Sequence, residues 1–214
     1  MIEPYYKDDY VTIYNGDCLE IMPQLDMKFD LVLTDPPYGI GESMGKNKSR
    51  SNLAGAKDYG YAEWDRQINQ EAVDLCRTKS DYQIIFGGNF YSLPPTSCWL
   101  IWDKENGDSD FADCEIAWTN LNKAIRLKKH RWCGMLRKFH EARFHPTQKP
   151  LDVILWAIKQ APGNIEIILD PFLGSGTTCV AAKRLNKKCI GIEIEERYCE
   201  IAAKRCSQEV LDLA

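Results

Sequence analysis

Residues 166–193, EIILDPFLGSGTTCVAAKRLNKKCIGIE, decide the fold. Glu166–Leu169 is a short apolar run, predicted as a buried strand. It leads into Asp170 and a Gly-x-Gly turn at Gly174 and Gly176, and a helix is predicted over Thr177–Leu185. A second apolar run, Cys189–Ile192, ends on Glu193. Strand, glycine turn, helix and strand form the repeat of a parallel sheet, because parallel neighbours need a crossover. In such sheets a ligand sits where strand C-termini meet helix N-termini. Glycines at 174 and 176 let backbone approach a ligand that a Cβ would repel. Glu193 is placed to bind both hydroxyls of a ribose. A P-loop is disfavoured, since no Gly-Lys-Ser/Thr follows, and the third glycine of a dinucleotide site is missing. A nucleoside cofactor without a pyrophosphate is left, and S-adenosylmethionine fits best.

The same alternation extends outward. Strands are predicted at 11–14, 29–33, 82–86, 98–102, 114–119 and near 125–128, and helices at 19–25, 67–78, 150–160 and 195–206. Short strands between helices make a doubly wound, Rossmann-like α/β sheet in one domain spanning residues 1–214. Residues 39–60 lack periodicity and read as a mobile loop; residues 103–145 fit neither pattern well and read as an insertion with its own task.

A chain of 214 residues with 44% apolar and 27% charged residues is long enough for one well-filled core. No apolar run approaches the ~18–20 residues that span a bilayer, and the N-terminus lacks a signal-peptide core, so a cytoplasmic protein without a membrane partner is expected. Nine scattered cysteines without a CxxC pair read as reduced thiols, and three histidines make no metal site. The net charge of −4 hides a strong asymmetry. Residues 123–149 hold nine Lys or Arg (Lys123, Arg126, Lys128, Lys129, Arg131, Arg137, Lys138, Arg143, Lys149) against Glu141, a segment of +8 on a remainder of −12. Lys46, Lys48, Arg50 and Lys57 form a second basic stretch. Two basic stretches on an acidic body point to nucleic acid.

The basic stretch 46–57 follows Thr34-Asp35-Pro36-Pro37-Tyr38, at the end of the predicted strand 29–33. The lone pair of an aromatic amine is delocalised into its ring, so the amine is a poor nucleophile. Two acceptors aimed at its N–H groups favour a pyramidal nitrogen and stabilise the positive charge that develops. The Asp35 carboxylate and the Pro36 carbonyl suit that task, the prolines hold the backbone rigid, and Tyr38 would stack on an extruded base. As bare residues the four also read as a strand-ending turn. The tryptophans 99, 102 and 118 read as core.

TDPPYGI at 34–40, HPTQKP at 145–150, DPFLGSGTT at 170–178 and GIEI at 191–194 resemble the permuted, beta-class DNA amino-methyltransferases. NGDC at 15–18, FGGNF at 86–90 and the closing helix extend the resemblance over most of the chain. It implies a seven-stranded methyltransferase sheet and S-adenosylmethionine as methyl donor. It also implies Asp17 and Cys18 at the cofactor's adenine and Glu193 at its ribose. Asp35, Asp170, Phe172, Gly174, Ser175, Gly176 and Thr177 would line the cofactor, and Thr147 and Lys149 would help bind its methionyl end. The variable stretch 103–145 would be the target-recognition region. Asp rather than Ser before Pro-Pro-Tyr resembles adenine-modifying members, which makes a flipped adenine in double-stranded DNA the expected substrate. N4-cytosine methylation and a catalytically silent nucleic-acid-binding module are the alternatives. The recognition region is short, which favours a short target or a homodimer.

Overall fold

The structure, a computed structural model, describes residues 2–39, 68–106, 112–133, 136–137, 142–145 and 147–208. Its frame is one sheet ordered β1-β2-β11-β10-β3-β4-β6-β5-β7. Five strands run parallel at its centre: β2 (Val11–Asn15), β11 (Lys188–Glu193), β10 (Ile167–Asp170), β3 (Phe29–Thr34) and β4 (Ser80–Phe86). Next comes β6 (Cys114–Thr119), antiparallel to both β4 and β5 (Trp99–Asp103). These make the seven strands expected, but among the described residues the sheet counts nine. The two-residue β1 (Tyr6–Lys7) pairs outside β2, and β7 (Arg126–Lys129) pairs parallel to β5. A hairpin of β8 (Trp132–Cys133) and β9 (Leu136–Arg137), too short to carry a period, had no counterpart in the sequence reading.

Helices cover both faces, and the alternation of Leu31, Val32 and Leu33 in β3 shows how, with Phe29 at the strand's entry joining the side of Val32. Leu31 and Leu33 point into a cluster with Val153, Ile154 and Ala157 of α3 (Leu151–Ile158), Val180 of α4 (Thr177–Arg184) and Ala202 of α5 (Glu196–Gln208). Phe29 and Val32 point the other way, onto Cys18 and Ile21 of α1 (Cys18–Ile21) and Ala72 and Cys76 of α2 (Gln70–Lys79). A strand buried on both faces must be apolar throughout, and FDLVL is nearly so.

Two expectations need correction. The helix expected over 19–25 is α1 followed by a 3₁₀ turn at Met22–Gln24, because Pro23 has no N–H to continue the α ladder. The stretch 103–145 is not a single insertion: β6 lies inside the sheet and β7 extends it. Trp102 and Trp118 are core residues, each with its indole N–H on a backbone carbonyl (His130 at 2.8 Å, Pro94 at 2.7 Å). Of the loop expected at 39–60, residues 40–60 lie outside the described residues, and so do Lys138 and His140. The eight cysteines described are free thiols, and no cluster able to hold a metal occurs among the described residues. No described helix is long and apolar enough to cross a membrane.

Candidate active site

The two motifs lie 135 residues apart in sequence and side by side in space. Strands β3 and β10 are hydrogen-bonded parallel neighbours, with Leu31 opposite Ile168 and Val32 opposite Leu169, so both deliver their C-termini to the same edge. There the chain order reverses: β10 continues to β11 and β2 on one side, β3 to β4 on the other. That is a topological switch point, the place where doubly wound sheets open a ligand crevice. Asp170 joins the halves. Its Oδ1 accepts from the Thr34 hydroxyl at 2.8 Å and from the Phe172 N–H at 3.2 Å. Burial pushes the Asp170 carboxyl up to about 6, against the lowering effect of these bonds.

A cavity of about 630 Å³ opens over this edge, in the range of small-molecule sites. Of the residues expected at the cofactor, Asp17, Cys18, Asp35, Thr147, Lys149, Asp170, Phe172, Gly174, Ser175, Thr177 and Glu193 line it. Gly176 does not. It sits at φ +84°, and a Cβ there would lie 2.7 Å from the Ala202 Cβ, so the packing of α5 on α4 requires a glycine here. Gly174, at φ +54°, is the turn glycine that faces the cavity.

Glu193 ends β11 against that turn. Its Oε2 accepts from the Gly174 N–H at 2.7 Å and its Oε1 from the Glu195 N–H at 2.8 Å. Burial pushes its carboxyl up to about 7, with the two backbone donors acting in the opposite direction. Each oxygen keeps a further lone pair for a ligand hydroxyl. Asp17 caps α1, accepting from the Leu19 N–H at 2.8 Å. Burial pushes the neighbouring Cys18 thiol up to about 12, so it is no activated nucleophile.

At the end of β3, Asp35 and Pro37 line the cavity. Pro36 lies between them in the chain, and Tyr38 follows. Tyr38 donates its hydroxyl to Asp35 Oδ1 and stacks its ring on Phe90 at 4.9 Å and 16°. A Cβ on Gly87 would overlap the Tyr38 ring, and Tyr91 donates its hydroxyl to the Pro37 carbonyl. FGGNFY at 86–91 thus braces the Asp35–Tyr38 turn. The role of Phe90 is not legible in the sequence, since it depends on a contact with Tyr38 that only the fold creates. Lys149 lines the cavity and is held there by two carboxylates of the chain. Its ammonium lies 2.5 Å from Asp35 Oδ2 and 2.9 Å from Glu115 Oε2. Burial works against this charge, but the two carboxylates outweigh it and raise the Lys149 pKa.

The HPTQK loop closes the other wall. Burial and neighbouring cations hold His145 near 3, so it is neutral. Its Nδ1 accepts from the Thr147 N–H at 3.2 Å, and its ring packs edge-on against Tyr198 at 4.3 Å. Gln148 Oε1 accepts from the Ser175 hydroxyl at 3.1 Å, and Arg205 donates to the Ser175 carbonyl at 2.6 Å. The sequence signal for the packing role of His145 is its place in HPTQKP, the motif that also supplies the lysine.

The residues expected at DNA are less concentrated. Arg126, Lys129 and Arg131 are exposed. Lys128 is 2.7 Å from Asp152 of α3 and already neutralised, while Arg143 donates to the His145 carbonyl at 3.2 Å. Lys46, Lys48 and Arg50 lie outside the described residues, as does the Arg137 side chain.

The sequence profile of the DNA methylase family, which takes in N6 and N4 methyltransferases, matches residues 94–204, just over half of the chain. The chain belongs to the DNA methylase family. The chain is 29% identical over 261 residues to the type II methyltransferase M.ScaI of Streptomyces caespitosus, covering 99% of this chain and 86% of the relative. For M2.DpnII of Streptococcus pneumoniae the values are 27% over 259 residues, 98% and 94%. The M.ScaI alignment is longer than this chain, so at least 47 positions of that relative have no counterpart in the 214-residue methylase. Among solved structures, the M1.HpyAVI–SAM complex superposes with a TM-score of 0.59 at 25% identity, covering 91% of this chain and 98% of that one. The PvuII cytosine-N4-specific DNA methyltransferase shares the fold alone, with a TM-score of 0.59 at 15% identity over 95% and 89% of the chains. This methylase is therefore an S-adenosylmethionine-dependent DNA methyltransferase.

Proposed function

We propose that the methylase transfers the methyl group to the N6 amine of an adenine flipped out of double-stranded DNA. The observation that carries this reading is the Asp35 carboxylate at the cavity wall, one residue from Thr34, whose hydroxyl bonds to Asp170 at 2.8 Å. The cavity fits S-adenosylmethionine in its donor set: paired acceptors on Glu193 for a ribose, a positive-φ glycine at 174 for close backbone approach, and a polar wall at Thr147. Bound there, the cofactor supplies an electrophilic methyl group. The chain supplies position and charge. Extrusion of the base costs a few kcal/mol and lets an exocyclic amine reach a site no stacked base can enter. Asp35 and the Pro36 carbonyl then accept from the amine, which localises its lone pair and stabilises its developing positive charge. The same carboxylate offers an acceptor for the proton the methylated amine sheds. Arg126, Lys129 and Arg131, with the basic stretch 46–57, would hold phosphates and carry no base specificity. A recognition region this short suits a brief target or a cytoplasmic homodimer reading two half-sites.

The decisive experiment is methyl incorporation into mixed-sequence duplex DNA, followed by nucleoside analysis. N6-methyladenine is expected, and N4-methylcytosine instead would establish the alternative chemistry. Asp35→Ala should lower transfer by about 10³-fold or more while cofactor binding remains measurable. Transfer at the parent rate would sink the amine-clamp assignment, and cofactor binding by the parent with no methylated nucleoside would support a silent binding module.

A further inference from the structure

Both oxygens of the Asp35 carboxylate already have partners within the chain: the Tyr38 hydroxyl on Oδ1 and the Lys149 ammonium on Oδ2. A substrate amine that enters the clamp must therefore take the lysine's place or share it. Lys149 is only 7% exposed. An ammonium left there without an anion would bear its desolvation penalty uncompensated, enough to forbid the exchange. One other anion is in reach. Glu115 Oε2 lies 2.9 Å from Lys149 Nζ, is itself buried, and makes no hydrogen bond of good geometry. Its other oxygen, Oε1, is anchored 2.6 Å from Lys104. The backbone of Glu115 is equally fixed, since β6 pairs with β5 at Trp102 and with β4 through Phe86 and Ala117.

We propose that Glu115 is a positioning residue of the amine clamp: it receives the Lys149 ammonium when the substrate amine takes its place on Asp35. Lys149 then moves between two carboxylates without ever losing a counter-ion, and Asp35 is released to the amine as a carboxylate. This rests on the reading of Asp35 as the amine clamp and adds a residue that no motif of the sequence marks.

The charges around the pair give the proposal a signature that packing alone would not produce. Asp35 faces Lys149 from the loop before α3, Glu115 from β6, Tyr38 from its own turn and Asp170 from β10. Glu115 faces Lys149 and Lys104. Burial raises the Asp35 pKa, Lys149 lowers it and Glu115 raises it. Transfer needs Asp35 ionised, so the acid limb of the pH–rate profile follows this carboxyl. Glu115→Gln removes a repelling charge and shifts that limb to lower pH, while leaving Lys149 bound to Asp35 alone. Lys149→Met removes an attracting charge and shifts the limb to higher pH.

The test measures single-turnover methyl transfer to duplex DNA across pH, the KM for DNA, and the affinity for S-adenosylmethionine. Glu115→Gln should lower the transfer rate on the order of 10- to 100-fold, with the acid limb displaced downward and cofactor affinity and KM unchanged. Glu115→Asp keeps the charge and should recover part of the rate with the parent's acid limb. Parent-like rate and pH profile in Glu115→Gln overturn the proposal, and so does a loss of cofactor affinity or thermal stability with a stationary acid limb. Should Glu115→Gln not fold, Glu115→Asp decides: its shorter arm must slow transfer without weakening cofactor binding, and a parent rate overturns the proposal. Parent protein that transfers no methyl group to DNA overturns the clamp reading and this proposal together. Transfer by the parent with an unaffected Glu115→Gln overturns this proposal alone.

Discussion

At the scale of single residues, the cofactor wall combines binding with a cost to folding. Glu193 is held up to about 7 by burial, well above the ordinary glutamate value of 4.5. A carboxyl raised in the folded state contributes stability that is complete below the unfolded pKa. That contribution is lost as pH rises through the folded one. The window here runs from about 4.5 to 7, and full ionisation costs about 3 kcal/mol. Glu193→Gln removes that pH-dependent cost, and it also removes one of two acceptors for the Gly174 and Glu195 N–H groups, worth about 1 kcal/mol. The variant should therefore melt below the parent at pH 5 and at or above it at pH 8, while its affinity for S-adenosylmethionine falls about tenfold or more. Melting curves at the two pH values, with calorimetric titration of the cofactor, check both halves. Asp35 and Glu193 could be read from the sequence because each ends a recognisable apolar run. The partners of Lys149 could not, since Asp35, Glu115 and Lys149 come from three distant segments and nothing in their spacing couples them.

At the scale of elements, one glycine turn serves two masters. Gly174 faces the cavity, whereas Gly176 is fixed by the contact of α4 with α5. A side chain at Gly176 would require φ +84° and press on the Ala202 backbone Cα at 3.0 Å. Gly176→Ala should destabilise the protein by about 2–4 kcal/mol, lowering its denaturation midpoint, with cofactor affinity per folded molecule little changed. A loss of affinity without a loss of stability would instead return Gly176 to the binding surface. Strand and helix identities followed from periodicity, and most boundaries fall within two or three residues of those expected. The exceptions have local causes: Pro23 converts the end of the first helix into a 3₁₀ turn, and β1, β8 and β9 are two residues each. The position of β6 between β4 and β5 was not readable, because a sheet order depends on which edges meet.

At the scale of the whole molecule, charge is divided between a basic stretch and an acidic remainder, and the structure sorts the basic residues by availability. Lys128 is engaged by Asp152 at 2.7 Å, whereas Arg126 and Arg131 are exposed. Duplex DNA binding should weaken linearly in log–log form with salt, and Arg126→Gln and Arg131→Gln should each reduce that slope by about 1. Lys128→Gln should change it less. Fluorescence titrations at several salt concentrations separate the cases, and equal slopes for all three variants would show that this strand does not meet phosphate. The sequence alone determined the parallel α/β plan, the glycine turn closed by Glu193, and the place of Asp35 at the end of a strand. Each is written in a contiguous run of apolar period, turn glycine and terminal carboxylate. Only the tertiary structure decided that the clamp and the cofactor turn are neighbours, through β3 beside β10, and that Gly176 serves packing. It alone placed Lys149 between Asp35 and Glu115. Those outcomes rest on burial and on contacts between segments far apart in the chain, and neither is encoded in local periodicity.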